Sequence, residues 1–91
     1  MIVVTRHQGL VEYLREIGLI GPDAQVVAHA APEQIRGQHV IGVLPLHLAA
    51  ECASVTEIPL DLAPSQRGRE LSLDEVRACA RPAVTYTVRR T

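Results

Sequence analysis

A chain of 91 residues, 47% of them hydrophobic, is long enough for one small domain with a single core of modest size. Ten acidic against nine basic residues leave a net charge of −1, and every basic residue is arginine, which argues against a surface that coats a long nucleic acid. Phe and Trp are absent, so only Tyr13 and Tyr86 could stack on bases, and any contact with an anion has to come from a few placed arginines.

The chain opens on MIVVT, a compact β-type run, followed by the polar turn Arg6-His7-Gln8-Gly9. No basic segment precedes the apolar residues and no later run reaches membrane-spanning length, so the protein is expected in the cytoplasm with no membrane partner. Leu10, Val11, Leu14 and Ile17 then fall at helical spacing up to Gly18. Gly21-Pro22-Asp23 is a loop, and Gln25 to His29 carries a second short strand around Val26 and Val27. Ala31-Pro32 to Gly37 is a connection with room for one helical turn at Glu33 to Ile35.

The most informative stretch is His39 to Glu51, HVIGVLPLHLAAE. Its apolar run Val40, Ile41, Val43, Leu44 predicts a strand buried on both faces. After Pro45 the period changes, with Leu46, Ala49, Ala50 and Ala53 on one helical face and His47 and Glu51 together on another. Pro45 in the first turn would place a helix N-terminus at the end of that strand, where free N–H groups and the dipole favour an anion. Thr56 to Leu62 alternates as a strand in which Pro59 marks an edge or an end. Ala63 to Leu71 is a polar loop. Ser72 to Glu75 is a capping box opening a helix that stops near Arg81-Pro82. Val84, Tyr86 and Val88 alternate with polar residues in a last strand with one wetter face.

Strands interleaved with helices predict a single α/β domain over residues 1–91, a mostly parallel sheet with helices on both faces. Three polar segments would then gather along one sheet edge: Thr5 to Gly9, Pro45 with His47, and Ser65 to Glu70. There Arg6, Arg67 and Arg69 suit phosphate oxygens, and His7 or His47 could move a proton near neutral pH. His29 and His39, at strand termini, are assigned to structure or solvent, and Cys52 and Cys79 to a reduced core. CxxC, HExxH, Walker-type loops and the GxSxG elbow are all absent, so no metal or other cofactor is expected.

Thr5-Arg6-His7 with Gly9, then Ile41-Gly42, Leu44-Pro45 and Leu48-Ala49-Ala50-Glu51, then Arg67-Gly68 with Glu70-Leu71 follow one another in order. In these motifs the chain resembles the CRISPR-associated family of type III systems labelled Csx-sixteen, although His47 stands where many members are associated with asparagine. The resemblance implies a Rossmann-like fold related to CARF domains and a ring nuclease. Its substrate would be a cyclic oligoadenylate, chiefly cyclic tetra-adenylate, and its assembly a homodimer matching the two-fold symmetry of that ring. In such an enzyme the substrate's 2′-hydroxyl attacks the adjacent phosphorus without a metal. His7 and Arg6 would be catalytic, and Thr5, Gly9, Leu44, Pro45, His47, Ser65, Arg67 and Arg69 would bind the ligand. The alternatives are a module that sequesters a cyclic nucleotide intact and an accessory subunit of a larger CRISPR complex.

Overall fold

The computed structural model describes residues 1–91. It contains five strands: β1 (Ile2–Val4), β2 (Gln25–Val27), β3 (His39–Gly42), β4 (Ser54–Glu57) and β5 (Val84–Tyr86). Four α-helices accompany them: α1 (Gln8–Glu16), α2 (Pro32–Ile35), α3 (Leu46–Ala49) and α4 (Leu73–Cys79), with a 3-10 turn at Pro64–Gln66. The sheet order is β2-β1-β3-β4-β5, parallel throughout except for β5, which runs antiparallel to β4. The expected α/β architecture is therefore present, and no helix is long and apolar enough to cross a membrane.

The period of two along β1 divides the core. Val3 points to one face, where it meets Ile41, Ile58 and the α1 residues Val11 and Leu14. Ile2 and Val4 point to the other and pack with Val40 and Ile35. The first face is covered by α1 and α4, which lie side by side and are joined at the surface by Arg77 donating to both carboxylate oxygens of Glu16. The second face is covered more thinly by α2 and α3, with Leu44, Leu48 and Cys52 against the cluster.

Several predicted boundaries differ for identifiable reasons. The helix expected from Pro45 through Ala53 is a single turn, because Ala53 N–H bonds the Gln38 carbonyl at 2.8 Å and Gly37 N–H bonds the Glu51 carbonyl at 2.9 Å. Those bonds pull the chain out of the helix and start β4 beside β3, so tertiary pairing overrides the local helical pattern. His47 and Glu51, placed on one face by the helical pattern, do not pair, and Glu51 instead faces Arg36 at 3.6 Å and Arg90 at 3.4 Å. The strand predicted over Thr56 to Leu62 ends at Glu57. Beyond Pro59, Leu60 bridges Ala80 instead, with Arg81 N–H on the Pro59 carbonyl and Asp61 N–H on the Cys79 carbonyl. Pro59 thus marks a strand end, while β5 occupies the edge. β5 is exposed along its whole length, not on one face alone.

Gly42 leaves β3 with φ +147°, and a β-carbon there would stand 2.3 Å from the Val4 carbonyl oxygen. The β1–β3 contact at this point depends on the missing side chain. Gly42→Ala is expected to cost about 2 kcal/mol or more through overpacking and strain, measured as a shift in the denaturant unfolding midpoint. Gly21→Ala, with nothing within 4 Å and no positive φ, should stay within about 0.5 kcal/mol of the parent. Equal effects of the two substitutions would contradict this account.

Candidate functional site

Because β1, β3 and β4 are parallel, the segments that follow them all leave the sheet at one edge, the edge where α/β folds collect ligands. At the end of β1, Thr5 N–H continues the ladder to the Val27 carbonyl at 3.0 Å, and the Thr5 hydroxyl accepts the His7 N–H at 3.1 Å. That side-chain bond turns the chain at the start of α1, leaving Arg6 exposed and His7 half-buried. His7 is the N-cap of α1, and its carbonyl accepts from Leu10 and Val11.

Two clefts meet at this turn, of about 360 Å³ and 420 Å³, and share Arg6, His7 and Leu60. The first continues over Thr5, Gly42 and Val43 along the sheet edge. The second is closed by Gln66, Gly68, Arg69, Glu70 and Leu71. Within them the His7 ring is half-buried, and its Nδ1 is buried with no hydrogen-bond partner. An unpaired buried ring nitrogen costs about 1–3 kcal/mol, which makes it a natural position for a group meant to meet a ligand.

The arginines divide sharply. Arg36, Arg69, Arg77, Arg81 and Arg90 each contact a carboxylate, whereas Arg6, Arg15, Arg67 and Arg89 have none within ion-pair distance, and of these four only Arg6 lines the two clefts. Arg6 Nη2 stands instead 3.0 Å from Nε2 and 3.3 Å from Nδ1 of His29. Arg67 is exposed, its N–H donates to the Pro64 carbonyl at 3.3 Å and its side chain has no hydrogen bond, but it lies outside the lining of both clefts. Arg69 lines the second cleft with its guanidinium engaged: Nη1 donates to Glu75 Oε1 at 3.0 Å and to the Glu70 carbonyl at 3.2 Å, Nη2 donates to Glu75 Oε2, and Nε donates to the Ser65 carbonyl at 3.3 Å. The geometry therefore gives Arg69 a role in holding the loop onto α4.

Other expected ligand residues also have internal duties. A β-carbon on Gly9 would lie 2.4 Å from the Leu71 carbonyl oxygen, so Gly9 lets α1 seat against the segment entering α4. Next to it, Glu70 Oε1 accepts the Gln8 N–H at 3.3 Å and places a carboxylate at the positive end of α1. Ser65 sits in the 3-10 turn, where its carbonyl serves Arg69. Leu44 packs on the second face of the sheet. Pro45 is the N-cap of α3, a helix of four residues, and its carbonyl already accepts from Leu48 and Ala49. The anion site expected at that helix start is thereby reduced: the Leu48 N–H is used, and one turn carries little dipole. His47 is exposed, without a partner, and outside both clefts. So Arg6, His7 and Arg69 are brought together, while Pro45 and His47 are not among them.

The sequence pattern leaves His29 to structure or solvent, Glu70 to the polar segment and Glu75 to the capping box, and gives none of them a contact with the arginines of the site. The signal for His29 is available, since it follows β2 by two residues and β2 runs parallel to β1, so His29 reaches the same edge as Arg6. No group of three or more His, Cys, Asp or Glu side chains converges in a way that could hold a metal ion.

Residues 2–89 match the family model described as "Putative CRISPR-associated protein (Cas_VVA1548)". Searches of curated proteins and of solved structures found no match.

The Glu75 carboxyl is held down to about 2, chiefly by the Arg69 guanidinium, then by the Ser72 N–H of the capping box and by Gln66. A depressed carboxyl adds stability that is complete above its ordinary value of 4.5 and disappears as pH falls toward 2. Because the Arg69–Glu75 pair lies at the surface, with Glu75 half-buried and Arg69 exposed, the effect is modest and weakens with salt. Unfolding midpoints measured from pH 5 to pH 2 should therefore fall less steeply in Glu75→Gln than in the parent chain, and parallel curves would contradict the assignment.

Proposed function

Because the chain belongs to this CRISPR-associated family, we propose that it is a ring nuclease of the Csx-sixteen kind, acting in type III systems on a cyclic oligoadenylate, chiefly cyclic tetra-adenylate. The observation that carries the reading is the Arg6-His7 turn. An arginine with no carboxylate partner and a histidine with a buried, unpaired ring nitrogen stand next to each other where two clefts join at the C-terminal edge of the sheet. An uncompensated guanidinium suits a phosphodiester, and an imidazole beside it suits movement of a proton.

The reaction is an internal transesterification. The ribose 2′-hydroxyl attacks the adjacent phosphorus in line, the 5′-oxygen departs, and the product is a linear oligoadenylate with a 2′,3′-cyclic phosphate and a free 5′-hydroxyl. No water enters. Arg6 holds a non-bridging phosphate oxygen and offsets the charge that grows there. His7 exchanges a proton with the attacking or departing oxygen. A second copy of the chain, related by a two-fold axis, would present the same turn to the opposite half of the ring.

Incubation with cyclic tetra-adenylate in the presence of EDTA is expected to yield linear product over many turnovers. Intact ligand held in stoichiometric amount would establish a sequestering module instead, and neither binding nor product would remove the proposal. His7→Ala should slow cleavage by roughly a hundredfold or more with little change in binding. Arg6→Ala should weaken binding by roughly tenfold, as expected for loss of a charge-assisted hydrogen bond.

A further inference from the structure

We propose that Glu70 is the second proton carrier of the site, the general base that takes the proton of the attacking 2′-hydroxyl while His7, as imidazolium, gives one to the departing 5′-oxygen. The proposal rests on the transesterification assigned above and divides its two proton transfers between two named groups. In an in-line displacement the attacking and departing oxygens stand on opposite sides of phosphorus, so a single side chain serves both poorly. A second titratable group has to stand near the first.

The linings of the two clefts leave one choice. Arg6 and Arg69 stay charged and only donate. Besides these arginines and His7, Glu70 is the only ionisable side chain lining either cleft. Other carboxylates without an ion pair, such as Glu12 and Glu57, lie outside both linings. Glu70 itself is in no ion pair, because Arg69 spends its guanidinium on Glu75 and touches Glu70 only at the backbone carbonyl, at 3.2 Å.

The carboxylate is held at one oxygen and open at the other. Oε1 accepts the Gln8 N–H at 3.3 Å, and that N–H belongs to the peptide joining Gln8 to His7, so Glu70 is tied to the chain directly beyond the histidine. Oε2 has no hydrogen-bond partner and is available to a substrate hydroxyl. The charged groups around it are Arg6, His7 and Arg69 in the same cleft, with Glu12 beside it in the groove along α1. In the step, the 2′-O–H bond breaks and its proton goes to Oε2 as the 2′-oxygen bonds phosphorus. The bond from phosphorus to the 5′-oxygen breaks, and that oxygen takes the proton of His7. Glu70 ends with one proton more and His7 with one fewer, and exchange with water restores both.

The test measures binding and cleavage of cyclic tetra-adenylate by the parent chain and by Glu70→Gln, with the cleavage rate followed across pH. Glutamine keeps an oxygen for the Gln8 N–H and cannot act as a base, so the turn stays in place while the proton transfer is lost. Glu70→Gln should slow cleavage by roughly a hundredfold or more with little change in binding. The parent rate should fall on both the acid and the alkaline side, and Glu70→Gln should lose the acid-side fall while keeping the alkaline one. A Glu70→Gln variant that cleaves at the parent rate, or one that is slow but keeps the acid-side fall, would overturn the proposal and leave Glu70 as a brace for α1. If the parent chain yields no linear product, the reading of the function fails and this step with it. An active parent matched by an equally active Glu70→Gln refutes the step alone.

Discussion

The site depends on two places where one backbone lies against another too closely for any β-carbon. Gly42 lets β3 leave the sheet against the Val4 carbonyl, and Gly9 lets α1 rest on the Leu71 carbonyl and the start of α4. Between them these approaches fix the turn Thr5 to Gly9 from both sides. The first ties the turn to the centre of the sheet. The second ties it to the loop that carries Arg69 and Glu70. Loss of either contact would disturb the placement of Arg6 and His7. The glycines of the first two ordered motifs, Gly9 and Gly42, are thus explained by close backbone approach, whereas Gly68 of the third has open space around it and a left-handed backbone with φ +77°.

Charge is distributed on the same logic. Five of the nine arginines face carboxylates and brace the surface: across α1 and α4, across the loop and α4, between the chain after β4 and the end of α4, and around Glu51. Exposed pairs of this kind contribute little individually to stability. Their consequence for function is that they spend the carboxylates elsewhere and leave the Arg6 turn without a competing ion pair. Glu70 is the nearest exception: its carboxylate sits on the Gln8 N–H and so quiets the positive end of α1, which concentrates the site's cationic character on side chains instead of on the helix dipole.

Much of this was legible in the sequence because it rests on local rules. The interleaving of apolar runs and helical periods announced a parallel α/β sheet, and Ser72 to Glu75 announced its own capping box, observed with Ser72 Oγ accepting from Glu75 N–H at 3.2 Å. The prominence of Arg6 and His7 followed from strand direction alone. What was hidden depends on partners distant in sequence. Whether Arg69 is free or bound is decided by Glu75, whether the helix after Pro45 continues is decided by Gln38 and Gly37, and whether the strand after Thr56 runs on is decided by Ala80. His29 belongs to the same class: a histidine at a strand end is ordinary until the neighbouring strand sets an arginine beside it.

The central claim is that the Arg6-His7 turn, with the clefts on either side of it, is the surface that meets a cyclic oligoadenylate. Amide chemical-shift mapping with cyclic tetra-adenylate tests it most directly. The account predicts perturbations concentrated at Thr5 to Leu10, around His29 and along Leu60 to Leu71, with those at Tyr86 and Val88 small. Perturbations centred on Val43, Leu46 and Tyr86 instead, with the Arg6-His7 turn unmoved, would contradict it.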